Sequence, residues 1–82
     1  SQNLDLYPMP CNDVCNIRLN TFSDKAAIFS IYDLTGKMVF QKFMEIPENN
    51  IVTLPVSGQV NGGYILKVTG KTDSACKLFL VR

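Results

Sequence analysis

Ile28-Phe29-Ser30-Ile31-Tyr32-Asp33, then Leu34-Thr35-Gly36, then Lys37-Met38-Val39-Phe40-Gln41-Lys42-Phe43: the fold turns on this stretch. Two runs rich in β-branched and aromatic residues flank a short polar turn. Gly36 takes a positive φ at no steric cost, as a tight connection requires. The spacing predicts a hairpin with arms Ile28–Asp33 and Lys37–Phe43. The first arm lies in a longer run, Ala26 to Leu34. That run is apolar on both faces, with Ala27, Phe29 and Ile31 against Ile28 and Tyr32, which predicts a central strand.

Alternation extends outward from the hairpin. In Val14-Cys15-Asn16-Ile17-Arg18-Leu19-Asn20, Cys15, Ile17 and Leu19 share one face, and Asn16, Arg18 and Asn20 share the other. This is the period of a half-buried strand. Downstream, Pro47 and Asn49-Asn50 mark a loop. Ile51 to Leu54 is a short strand that Pro55 ends, because proline has no N–H for the ladder. Val56 to Gly63 is a polar connection, Tyr64 to Thr69 a strand, and Gly70 to Ser74 a turn. Ala75 to Val81 closes the chain with Cys76, Leu78 and Leu80 on one face and Lys77, Phe79 and Val81 on the other. Helical periodicity is weak throughout. About seven short strands with regular turn signals predict an all-β sandwich or barrel.

The chain has 82 residues, 46% hydrophobic and 18% charged, which fits one folded domain with a thin core. A net charge of +1, from eight basic and seven acidic residues, excludes a nucleic-acid footprint. No apolar run is long enough for a membrane-spanning helix, so direct membrane insertion is not expected. Residues 1–5 lack the basic and apolar regions of a signal peptide and are expected to be a linker remnant of a longer chain.

Histidine is absent, which removes the commonest general base and metal ligand. Without it no hydroxyl has an activating partner, and the aspartates Asp24, Asp33 and Asp73 fall in predicted turns. No catalytic residue, cofactor site or metal site is therefore expected. The three cysteines are Cys11, Cys15 and Cys76. The spacing of Cys11 and Cys15 matches no common zinc signature. Buried free thiols are one reading. A disulfide between Cys15 and Cys76 is the other, since both lie on apolar strand faces.

Several segments in order resemble the C-terminal sorting domain of the type IX (Por) secretion system of Bacteroidetes. Leu6-Tyr7-Pro8-Met9-Pro10 with Asn12-Asp13-Val14 resembles its opening motif, with Met9 in place of the usual Asn. Ile31-Tyr32-Asp33-Leu34-Thr35-Gly36-Lys37-Met38-Val39 resembles its central hairpin. Gly63-Tyr64-Ile65-Leu66-Lys67-Val68 resembles its Gly-x-Tyr segment, with Gly62 as the equivalent glycine, and Lys77-Leu78-Phe79-Leu80-Val81-Arg82 resembles its closing basic strand. The resemblance spans nearly the whole chain.

What the resemblance implies is an Ig-like antiparallel β-sandwich that is not an enzyme. It would carry a cargo through the periplasm and across the outer membrane to the cell surface or medium. Its partners would be the type IX translocon, an outer-membrane shuttle protein and a surface sortase that removes it. The recognition residues would be Pro8, Pro10, Gly36, Gly62, Gly63, Tyr64, Lys77, Val81 and Arg82. Asp73-Ser74-Ala75 resembles an O-glycosylation acceptor of the same bacteria, at Ser74. A sorting domain would end the full-length chain at Arg82.

Each motif also has a plain structural reading. Pro8 and Pro10 predict an extended lead-in that blunts an edge. Gly62, Gly63 and Tyr64 predict a turn into a packed strand, and Lys77 a solvated charge. An open edge on the last strand would admit β-augmentation by a partner or a homodimer. A structural or adhesive Ig-like module of a surface protein, or an uncleaved domain of a secretion or signalling component, is the alternative function.

Overall fold

The computed structural model describes residues 4–82. Its central hairpin is built as the turn chemistry demands. Strands β3 (Ala26–Asp33) and β4 (Met38–Glu45) pair antiparallel, with a register shift at Ile31/Tyr32. The turn between them is closed by the Asp33 N–H donating to the Lys37 carbonyl at 2.9 Å. Gly36 sits at φ +93°. The Asp33 carboxylate accepts from the Thr35 and Lys37 backbone N–H groups and from the Thr35 hydroxyl, at 2.6–3.0 Å.

The remaining strands are β1 (Leu4–Tyr7), β2 (Val14–Leu19), β5 (Ile51–Pro55), β6 (Gly62–Thr69) and β7 (Ser74–Val81). They form two antiparallel sheets, ordered β1-β2-β5 and β4-β3-β6-β7. This is the expected Ig-like sandwich. It differs from the constant-type Ig split in that the fourth strand pairs with the third. As predicted from its two apolar faces, β3 is central, between β4 and β6.

The core lies between the sheets. Leu4, Leu6, Cys15, Ile17, Leu19, Val52 and Leu54 face Ala27, Phe29, Ile31, Tyr64, Leu66, Val68, Phe79 and Val81. Burying Phe29 completely is worth about 3–5 kcal/mol against alanine.

Two expectations need correction. Leu4 and Asp5, read as linker, belong to β1, and Leu4 is buried. Their pairing with Leu19 and Arg18 of β2 is non-local, so short local periodicity did not reveal it. Residues 1–3 of that stretch lie outside the described residues. The second concerns β7, which is apolar on both faces. Its register against β6 chooses the face: Phe79 lies opposite the inward Tyr64, and Cys76 opposite Lys67. Residues directly opposite share a side, so Phe79 faces the core and Cys76 faces outward with Leu78 and Leu80.

Candidate recognition surface

Past β1 the chain bends at Pro8-Met9-Pro10 and crosses to the other sheet. There Cys11 makes a parallel bridge with Val81. The Cys11 N–H donates to the Leu80 carbonyl at 2.7 Å, and the Arg82 N–H donates to the Cys11 carbonyl at 2.8 Å. The Leu80 N–H meets the Met9 sulfur at 3.4 Å. The proline lead-in is thus a strap over the last residues of the edge strand rather than a free extended segment. Removing donors suits proline to this position, because a strap without a full row of N–H groups offers no new edge.

Cys11 and Cys15 are joined by a disulfide, with Cα atoms 5.3 Å apart, and both are buried. The bond ties the strap to β2. This corrects the expected Cys15–Cys76 pair: Cys76 is a free, exposed thiol on the outer face. Both faces of its strand carry apolar residues, so alternation alone does not decide which face Cys76 takes.

Next to the strap lies the start of β6. Gly62 and Gly63 pair with Val81 and Leu80, and Gly62 holds φ +152°. Tyr64 is buried, its ring 6.0 Å from that of Phe79, and its hydroxyl donates to the Val60 carbonyl. A tyrosine at the start of this strand that bonds back to the backbone just upstream is the tyrosine corner of Ig-like sandwiches. It locks the β5–β6 connection.

The β3–β4 turn completes this end of the molecule. A groove of about 430 Å³ runs between Asp33–Lys37 and Gln59–Tyr64. Leu34 and Val60, 65% and 78% exposed, stand on its rims. Pro8, Pro10, Gly36, Gly62, Gly63, Tyr64, Val81 and Arg82 therefore gather at one end. Lys77 does not. It sits further along β7 on the inner side, half-buried, with its ammonium donating to the Leu4 carbonyl at 3.1 Å. It joins the two sheets instead of standing free in solvent.

The opposite end holds a polar clamp that the sequence did not reveal. The Asp24 carboxylate accepts from the Thr72 and Asp73 N–H groups and the Thr72 hydroxyl, at 2.9–3.4 Å. Asp73 returns the arrangement by accepting from the N–H and hydroxyl of Ser23, both at 2.7 Å. The Asp73 N–H holds the Asp24 carboxyl below the usual carboxylate range; burial opposes this and the Thr72 donors add to it. The Thr35 hydroxyl, then the Lys37 N–H, lower the Asp33 carboxyl likewise. A β-carbon at Gly70 would lie 2.2 Å from Asp24 Oδ2, so any other residue there must displace the clamp's carboxylate. Ser74 is exposed at the first position of β7, directly after this clamp.

Residues 5–82 match the model of a protein family described as the secretion system C-terminal sorting domain. No curated protein matches the chain.

Proposed function

The chain belongs to the family of secretion system C-terminal sorting domains, and on that premise we propose that its address is a folded surface rather than a linear tag. The family is a non-enzymatic signal. It directs type IX export through the outer membrane to the cell surface or medium, and the type IX machinery recognises it. The surface we assign to recognition is the strapped end of β7: Pro8 and Pro10, the Gly62–Tyr64 start of β6, and Val81 with Arg82.

The observation that carries this reading is the Cys11 strap. It brings the first and last motifs of the chain side by side, bonded main chain to main chain. A receptor that reads either motif then meets both at once, and only when the sandwich is folded. In this reading the domain crosses the periplasm as a folded unit, meets the translocon and the shuttle protein, and is removed by the surface sortase upstream of β1. It performs no catalysis.

Fusing residues 1–82 behind a reporter tests the proposal. Surface labelling should detect the reporter with the whole domain. It should be lost, with reporter held in the periplasm, when Phe79–Arg82 is deleted. A short C-terminal peptide that exports the reporter by itself overturns the folded-surface reading. The tyrosine corner favours a second reading, a structural or adhesive Ig-like module, since such sandwiches share it. A reporter that stays in the periplasm with the intact domain supports that reading.

A further inference from the structure

The strap has few hydrogen bonds of its own. Pro8 and Pro10 have no N–H to give. Among the described residues, the main-chain bonds of residues 8–12 are the two at Cys11, to the Leu80 carbonyl and from the Arg82 N–H. Just past this segment, the Asp13 carbonyl accepts from the Val56 and Ser57 N–H groups at 2.9 and 3.1 Å, which fixes its far end. A segment with so few bonds opens locally unless something couples it to the core.

The Cys11–Cys15 bond supplies that coupling. Cys15 lies opposite Leu54 in β2, the middle strand of the other sheet. The bond therefore runs from the strap on one sheet into the centre of the other. Bonded, the two Cα atoms are 5.3 Å apart, and a disulfide confines them to roughly 4.4–6.8 Å. Cys11 then stays close to its place beside Leu80 for as long as β2 stays in the core. Unbonded, Cys11 is tethered through Asn12 to the held Asp13, and two residues of extended chain reach about 7 Å. That is ample to break hydrogen bonds of 2.7 and 2.8 Å. Packing does not require the bond. A buried free cysteine behaves as a small hydrophobe, so the reduced pair still fills its place in the core.

We propose that the Cys11–Cys15 pair is a redox latch on the strap. As a disulfide, it lets the strap open only with the whole sandwich. As two thiols, it leaves the sandwich folded and the strap free to open by itself. What this means for export rests on the proposed role of the strapped surface as the address. A chain with reduced cysteines presents that surface intermittently. A chain that has met an oxidising compartment such as the bacterial periplasm presents it permanently.

The chemistry is thiol–disulfide exchange with a small disulfide such as oxidised glutathione. Cys11 swings out with the open strap. Its thiol loses its proton and attacks the glutathione disulfide, and one glutathione leaves and is protonated to its thiol. When the strap closes, the Cys15 thiolate attacks the Cys11 sulfur of the mixed disulfide and releases the second glutathione. The two cysteines lose two electrons and two protons, and the two glutathione thiols carry them away. Both cysteines are fully buried in the closed strap, so a reducing thiol reaches neither sulfur once the bond has formed. The latch sets in one direction.

Amide exchange reads the latch without any secretion machinery, so failure of the latch and failure of the proposed address are separate results. The chain carries Cys76→Ser, which removes the exposed third thiol. Its disulfide form is compared with the form reduced in denaturant and refolded without oxidant. In the disulfide form, the Cys11 and Arg82 amides should exchange in step with the Leu66 and Val68 amides of β6. In the reduced form, Leu66 and Val68 should stay protected while Cys11 and Arg82 exchange at least ~10-fold faster than they do. Dilute dithiothreitol should reduce the native bond no faster than the chain unfolds. Cys11 and Arg82 amides that keep step with β6 in both forms would mean that buried thiols hold the strap unaided, and would overturn the proposal. So would a reduced chain whose β6 amides lose protection, since the bond would then be a staple of the whole fold. Reduction that outpaces unfolding would overturn it as well.

Discussion

The Arg82 N–H donates to the carbonyl of Cys11 at 2.8 Å, joining the end of the last strand to the segment that follows the first. This bond separates what the backbone does at Arg82 from what its side chain does. Arg82→Pro removes the N–H and leaves the carbonyl of a buried residue without its donor, a cost of about 1–3 kcal/mol. Arg82→Ala keeps the bond and should stay within ~0.5 kcal/mol of the parent. Denaturant midpoints measure both. If export reads the strapped shape, Arg82→Pro impairs surface display more than Arg82→Ala.

Tyr64→Phe keeps the ring against Phe79 and deletes only the hydroxyl that donates to Val60. The expected loss is about 1–2 kcal/mol by chemical denaturation. Because the hydroxyl ties down the β5–β6 connection, amide exchange should rise in residues 57–61.

The two glycines with a close neighbour should respond differently. Gly70→Ala forces a methyl to within 2.2 Å of Asp24 Oδ2, a group fixed by hydrogen bonds to Thr72 and Asp73. A cost of about 1–3 kcal/mol is expected from the displaced clamp. Gly63→Ala meets only the Leu34 side chain, at 3.1 Å, and Leu34 is 65% exposed and free to move. It should cost no more than about 0.5 kcal/mol. Thermal melts distinguish the two.

Asp24 sets a pH dependence whose sign follows from its environment. Its folded pKa is held below the usual carboxylate range, first by the Asp73 N–H. The stability it confers is therefore full above the unfolded carboxylate range, about pH 4–5. It is lost as pH falls through the lowered folded value. Asp33 acts in the same direction. Melting temperature should drop on acidification below that range, and Asp24→Asn should make the drop shallower. A steeper drop in the variant would contradict the assignment.

Features carried by neighbours in sequence were legible. The β3–β4 hairpin followed from Asp33 to Lys37, where a glycine and a local Asp cap act within a few residues. The inward face of β2 followed from Cys15, Ile17 and Leu19, because their alternates are polar. The clamp of Asp24 with Thr72 and Asp73 was hidden, because its members are far apart in sequence and each looks like an ordinary turn residue.

The sequence by itself determined an all-β chain, its turns, its central strand and its resemblance to a sorting domain. Period-2 alternation and turn residues act locally, and motif order needs no contacts. Tertiary structure alone decided which face of β7 enters the core, because Cys76, Leu78 and Leu80 are as apolar as Phe79 and Val81 and only the register with β6 separates them. It likewise decided that Cys15 joins Cys11, that Leu4 and Asp5 form a strand, and that Cys11 straps Arg82. Each depends on bringing distant segments together, a choice made by burial of the shared core rather than by any local pattern.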